Sequence, residues 1–423
     1  MKTALTNRRP IIRGITEVNF PTTNTVILDN GIPLHILEGG NQSIVKMEIA
    51  VLAGRPREAK QLVAASYGSL LKEGSAQYSS LEIAETFDRF GATFSQPFSF
   101  DYVSLQVYVL TKHCPKILPV FCSMIKDPVF PESELILFKE RVKQKLSVDL
   151  TQNEIVAYRE ATELFFGAKH PYGYNSNAQL YDAVTQYDLL EHHQNVVGPQ
   201  NTKMLIAGKL PDDTIDQLQE HLGQWNKSIR KRSPALPQEY PIPTRMYHDL
   251  EKSQSAIRIG RRLFDNSHED YPAMLLLTTI LGGYFGSRLM KNLREDKGYT
   301  YGVHASVEDL KYDGYFTINL ETDRQHCKKV IQEIDHEIDV LQSIPVPADE
   351  LTMVKNYISG HLLSKMDGPI QAMTVIKKNI LYANDPQHMN VLIKKLQKVD
   401  VNQIMDVARK YLDRDLLTEV VIH

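Results

Sequence analysis

An α+β chain of two homologous domains is what this sequence predicts, each domain an antiparallel-rich sheet covered on one face by helices. Two observations carry the prediction. The first is a repeated order of motifs. Phe100-Asp101-Tyr102 leads a strand ending at Leu110, Lys112-His113-Cys114 opens a helix, and Pro131-Glu132-Ser133-Glu134-Leu135 opens another. Further on, Tyr312-Asp313-Gly314 leads a strand ending at Leu320, then Gln325-His326-Cys327, then Pro347-Ala348-Asp349-Glu350-Leu351. The offset of about 210 residues marks a duplicated domain, since solenoid arrays repeat at about 20–50. The second observation is the cluster Pro234, Pro237, Pro241 and Pro243 at mid-chain. Proline this dense suits neither a helix interior nor a central strand, so residues 226–245 read as a semi-rigid linker. The predicted domains are then 1–225 and 246–423.

The elements follow in order. Thr25 to Leu28 and Leu34 to Leu37 flank Asp29-Asn30-Gly31, whose residues tolerate the positive φ of a tight hairpin turn. Ile44 to Leu52 alternates as a strand does and is closed by Gly54. Gln61 to Leu71 reads as a helix, and Ser80 caps another that stops before Gly91. Strands are expected at Thr93 to Phe98 and Tyr102 to Leu110; Pro97 makes the first an edge or a bulge. Helices occupy roughly Pro115 to Ile125 and Glu132 to Phe166. Past the linker come strand Ala256 to Leu263, helices Tyr271 to Leu281 and Arg288 to Lys297, and strands Tyr299 to Val307 and Gly314 to Glu321. Two long helices follow.

Bulk composition excludes several classes. The 423 residues are 42% hydrophobic and 23% charged, an ordinary soluble balance with room for two or three cores. A net charge of -3 gives no basic footprint for nucleic acid, and the basic run Lys227 to Arg232 falls in the linker. No segment has the roughly 18 apolar residues of a membrane helix. Met1 to Gly14 lacks an apolar core, so a cytoplasmic location is expected, or a periplasmic one if a signal was removed. Cys114 and Cys122 lie about 12 Å apart along a helix, beyond disulfide reach. With Cys327, the repeat partner of Cys114, they read as small buried apolar residues in a reducing compartment.

The chain has no G-x-S-x-G, G-x-x-x-x-G-K-[ST] or G-x-G-x-x-G. Gly282-Gly283-Tyr284-Phe285-Gly286 lacks the lysine and hydroxyl of a phosphate cradle and reads as a flexible or closely packed turn. His192-His193 and His336 have no second histidine at i+4 and no cysteine pair nearby, so they read as surface or satisfied core histidines.

Several segments match a known pattern in order. They are Leu28-Asp29-Asn30-Gly31-Ile32-Pro33-Leu34, Leu52-Ala53-Gly54-Arg55-Pro56-Arg57-Glu58 and His170-Pro171-Tyr172-Gly173. The most specific is Leu281-Gly282-Gly283-Tyr284-Phe285-Gly286-Ser287-Arg288-Leu289, leading into Leu293-Arg294-Glu295-Asp296-Lys297-Gly298-Tyr299-Thr300-Tyr301. On these the chain resembles the pitrilysin and mitochondrial processing peptidase (insulinase-like) family of zinc endopeptidases. The resemblance implies paired domains in a clam-shell arrangement.

Catalytic members carry H-x-x-E-H on the first long helix, where two histidines one turn apart bind zinc and the glutamate activates water. Alignment on Leu70-Leu71-Lys72-Glu73-Gly74-Ser75 puts Ala65, Gly68 and Ser69 at those positions, and the third ligand's place falls near Lys145. These are degenerate metal positions: no cofactor is expected in this chain.

The second half keeps what the family uses there. Arg294, near a helix end, and Tyr301, placed on the following strand, match the arginine and tyrosine that in relatives bind substrate backbone and support the tetrahedral intermediate. Gly282 and Gly283 accompany them. A guanidinium fork and a phenolic donor suit a developing oxyanion. The resemblance implies a non-catalytic, substrate-binding subunit of a heterodimeric zinc metallopeptidase. Its partner would be a homologue with H-x-x-E-H and zinc, and its substrates peptides or unfolded segments. The rivals are a self-dimerising peptide-binding module and a structural assembly subunit without peptidase activity.

Overall fold

The computed structural model describes residues 20–226, 234, 236–237, 240–382 and 388–423. Two sheets organise them. The first contains β1 (Asn24–Ile27), β2 (Pro33–Glu38), β3 (Ile44–Val51), β4 (Thr93–Ser95), β5 (Val103–Leu110) and β6 (Thr202–Gly208), in the order β1-β2-β6-β3-β5-β4. The second contains β7 (Arg245–His248), β8 (Gln254–Leu263), β9 (Val303–Asp309), β10 (Gly314–Asp323) and β11 (Thr418–Ile422), in the order β7-β11-β8-β10-β9. Without β1 the two orders coincide strand for strand. Each sheet holds one parallel pair, β2 with β6 and β11 with β7, among antiparallel neighbours. Half of the predicted linker, 226–245, lies outside the described residues, and Arg245 already opens β7.

Each half has its own core between its sheet and its helices. Met47, Ile49, Leu105 and Val107 pack on Tyr67, Leu70, Ile117 and Phe121 in the first. Ile257, Ile259, Phe316 and Ile318 pack on Leu277, Ile280, Val330 and Ile334 in the second. The opposite sheet faces are covered by exchange between the halves. The helix Asn153–Phe166 leaves the first half to lay Val156, Ala157, Ala161 and Phe165 on Ala256, Tyr315, Val420 and Ile422 of the second sheet. Its repeat partner, the helix Pro369–Tyr382, sets Met373, Ile376 and Ile380 on Ala50, Leu205 and Ala207 of the first.

The exchange explains a departure from the sequence pattern. Alternation in β3 reads as one face toward solvent, but Lys46 and Glu48 are both buried. Lys46 Nζ donates to Thr374 Oγ1 at 2.9 Å, and Lys377 pairs with Glu48, both partners lying on the incoming helix. A second seam gathers on Asp101, which accepts from Tyr172 Oη, from Tyr382 Oη at 2.8 Å and from the Lys311 amide at 3.1 Å. Its repeat partner Asp313 takes Arg262 at 2.6 Å, with His170 of the first half 3.7 Å away.

Some boundaries differ from expectation. The strand expected over Thr93 to Phe98 stops at Ser95, ahead of Pro97, which has no N–H to offer the ladder. The second helix of the first half is capped by Ser79, whose side chain forms a reciprocal box with Glu82. The 132–166 stretch breaks into helices Glu132–Asp149 and Asn153–Phe166. Tyr301 precedes β9, which begins at Val303, so it stands on a connection and not on a strand.

Candidate functional site

The degenerate positions lie on or beside the helix Val63–Leu70. That helix is firmly started: Glu58 accepts the Ala64 amide at 3.0 Å and Tyr174 Oη at 2.6 Å, and the Leu62 amide, in the left-handed region at φ 68°, donates to the same Tyr174 oxygen at 3.1 Å. Burial pushes the Glu58 carboxyl up to about 7. Farther along, Ser69 Oγ donates to its own helix at Ala65 O, 2.9 Å away, and Gln96 Nε2 reaches over to Gly68 O. Lys145, with a side chain 72% exposed on the helix Glu132–Asp149, binds Asp149 of its own helix at 2.7 Å.

These residues do not fit a zinc ion. Ala65 and Gly68 have no side-chain donor, the Ser69 hydroxyl is engaged with the backbone, and Lys145 brings a cation. Among the described residues no three of His, Cys, Asp or Glu are grouped to hold a metal.

His192 and His193 are core residues, their rings bonded to Ala53 O and Tyr67 Oη at 2.9 Å each. The three cysteines are buried and free, and burial pushes the Cys114 and Cys122 thiols up to about 12. At that value neither is a nucleophile at neutral pH.

The second half holds an open cleft of about 1090 Å³. Arg294, Tyr301 and Gly282 line it, together with Tyr284, Phe285, Tyr299, Arg258, Glu321 and, from the first half, Glu154. Gly283 is not among the lining residues; a Cβ there would lie 2.6 Å from Thr279 Cα, so this glycine permits close packing of the turn.

Arg294 sits in Met290–Asp296, a segment wound as a π-helix, a geometry found often at functional positions. Its neighbours are tied down. Arg288 forms a fork with Glu350 at 2.8 and 3.0 Å, Asn292 donates to Glu337 at 2.8 Å, and Lys297 pairs with Glu333 at 2.5 Å. Arg294 forms no ion pair among the described residues and instead faces the Phe285 ring at 5.0 Å. It does not pair with adjacent Glu295 or Asp296.

The connection carrying Tyr301 is pinned before it and, through the Gly302 amide donating to Thr300 Oγ1 at 3.1 Å, after it. Gly298 turns at φ 65°, Tyr299 stacks on His326 at 4.7 Å, and Thr300 Oγ1 donates to Glu321 O at 2.6 Å. Tyr301 itself projects into solvent, 93% exposed.

The cleft floor is charged. Arg258 meets Glu154 at 3.4 Å, and burial, then Glu154, raises the Glu321 carboxyl. Sequence reasoning passed over Arg258, Glu154 and Glu321, whose association depends on the exchanged helix. Phe285 lay within a noted glycine run, but nothing in its spacing assigned it a role.

Comparison with known proteins agrees with this architecture. Residues 44–162 match the family model of insulinase (peptidase family M16), and residues 183–358 match the peptidase M16 inactive domain. The chain belongs to the M16 family of insulinase-like peptidases. An uncharacterized zinc protease of Bacillus subtilis, YmxG, is 22% identical over 345 residues, covering 81% of this chain and 84% of that protein. A peptidase M16 inactive domain from Pseudomonas fluorescens superposes with TM-score 0.83 at 21% identity, over 95% of this chain and 98% of that one. A Helicobacter pylori protease reaches TM-score 0.87 at 16% identity, over 96% and 100%. Among the described residues no helix is long and apolar enough to cross a membrane.

Proposed function

We propose that this chain is the non-catalytic, substrate-binding subunit of a heterodimeric zinc metalloendopeptidase that acts on peptides or unfolded segments. One contrast carries the proposal: Arg294 and Tyr301 stand exposed at one cleft and, among the described residues, without carboxylate partners, while positions 65, 68, 69 and 145 offer no ligand set. A guanidinium and a phenol held there can bind an extended backbone and donate to the oxyanion that develops on its carbonyl.

The zinc would belong to a homologous partner carrying H-x-x-E-H. Two mixed apolar clusters join the halves of this chain into one body, so a clam-like enclosure of substrate requires a second chain.

Purification of the native complex tests the proposal. The expected companion is a chain of similar length with H-x-x-E-H, with zinc in the pair and none held stoichiometrically by this chain alone. A self-dimer, a large non-proteolytic assembly, or about one tight zinc per isolated chain would overturn it.

A further inference from the structure

We propose that Phe285 is a positioning residue for Arg294, fixing the guanidinium by a cation–π contact where an ion pair would neutralise it. The inference rests on the substrate-binding role proposed above and adds to it how the arginine is aimed.

Three observations converge. Among the tethered side chains of 288–297, Arg294 alone has an aromatic ring, 5.0 Å from the guanidinium carbon, in place of a carboxylate. A carboxylate would fix the side chain as well, but it would occupy the N–H donors that a substrate carbonyl or oxyanion needs. A ring face attracts the cation and leaves the in-plane donors free.

Phe285 is also 61% exposed, so the core does not use its ring. Finally, the turn presenting it is tightly built. A Cβ on Gly282 would come within 2.8 Å of Ala305, one on Gly283 within 2.6 Å of Thr279, and one on Gly286 within 2.9 Å of the Tyr284 ring. Tyr284 in turn packs on Tyr357 at 5.0 Å. The glycine run thus holds one ring at the cleft rim, against the arginine.

The test separates ring from bulk with Phe285→Leu and Phe285→Tyr, both at an exposed position that the core does not use. On the isolated chain, the Arg294 side-chain resonances are assigned by their disappearance in Arg294→Lys. They should carry a ring-current displacement that Phe285→Leu removes and Phe285→Tyr keeps. In the assembled pair, with a fluorogenic unfolded-protein substrate such as labelled casein, Phe285→Leu should lower kcat/KM about two- to five-fold, the range of an exposed cation–π contact. Phe285→Tyr should restore it. In an Arg294→Lys background, Phe285→Leu should add a smaller loss.

An unmoved Arg294 resonance in Phe285→Leu, or an equal loss in the Arg294→Lys background, would overturn the inference. Arg294→Lys with wild-type turnover would instead defeat the substrate-binding role, while the resonance shifts would still decide the contact.

Discussion

The helix face at positions 65, 68 and 69 and the cleft around Arg294 and Tyr301 belong to matching α/β units, and they dispose of their polar groups in opposite ways. In the first half the hydroxyl of Ser69 turns back on Ala65, Gln96 covers the Gly68 carbonyl, and Lys145 is taken by Asp149. In the second half Arg288, Asn292 and Lys297 are satisfied, while Arg294 and Tyr301 are held toward solvent. The side chains of Arg294 and Tyr301 are left without carboxylate partners among the described residues, and the substrate-binding role proposed for them rests on that difference.

The exchanged helices give the sharpest way to break this comparison. Lys377→Ala would remove the ion-pair partner of Glu48, buried at 1% exposure beneath the helix Pro369–Tyr382 and left with hydrogen bonds from Ser104 and Gln106, and should cost about 3 kcal/mol. Glu154→Ala removes the corresponding pair on the other exchanged helix, but there the carboxylate is 63% exposed, and the loss should stay below about 1 kcal/mol. Urea denaturation midpoints measure both. Equal effects would mean that the two dockings are energetically alike.

Glu58 gives a pH-dependent test of the first-half helix. Its folded value, about 7, lies above the ordinary 4.5, so between those values the native state binds the extra proton. Its contribution to stability therefore falls as pH rises from about 4.5 to 7, by roughly 3 kcal/mol at most. Glu58→Gln does not titrate. The difference between wild type and Glu58→Gln should decline across that window and be flat above it; a constant difference would contradict the assignment.

Two glycines sharpen the comparison at smaller scale. Gly282→Ala would press its Cβ to 2.8 Å from the Ala305 backbone nitrogen and should cost about 1–3 kcal/mol. Gly68→Ala meets only the Val103 side chain, Cγ1 at 3.4 Å and Cγ2 at 3.7 Å, inside a helix, and should gain about 0.5–1 kcal/mol. Thermal melts of both variants check the opposite signs.

Much of the fold was legible in the sequence because it rests on local signals. Asn30-Gly31 marks the first hairpin, and the motif order around Asp101 and Asp313 reports the duplication. The exchange of helices was not legible. The alternation of Lys46 and Glu48 with apolar neighbours is what a solvent-facing sheet face would show, and the incoming helix with Lys377 and Thr374 makes that face interior. At the cleft, the family resemblance, and not residue type or spacing alone, singled out Arg294 and Tyr301. That Tyr301 stands on a connection, and that Phe285 faces Arg294, depends on a pinned turn and a π-wound segment without a one-dimensional signature.

The central claim is that the second half supplies working groups to a partner's reaction. Tyr301→Phe in the assembled pair tests it most directly, because the change removes one hydroxyl from a side chain 93% exposed and leaves the fold untouched. The account predicts a fall in kcat of about 10²–10³-fold with an unchanged denaturation midpoint, and poor tolerance of Arg294→Lys, which keeps charge and loses the planar fork. Wild-type turnover from both variants in the assembled pair would contradict it and make this chain a structural subunit.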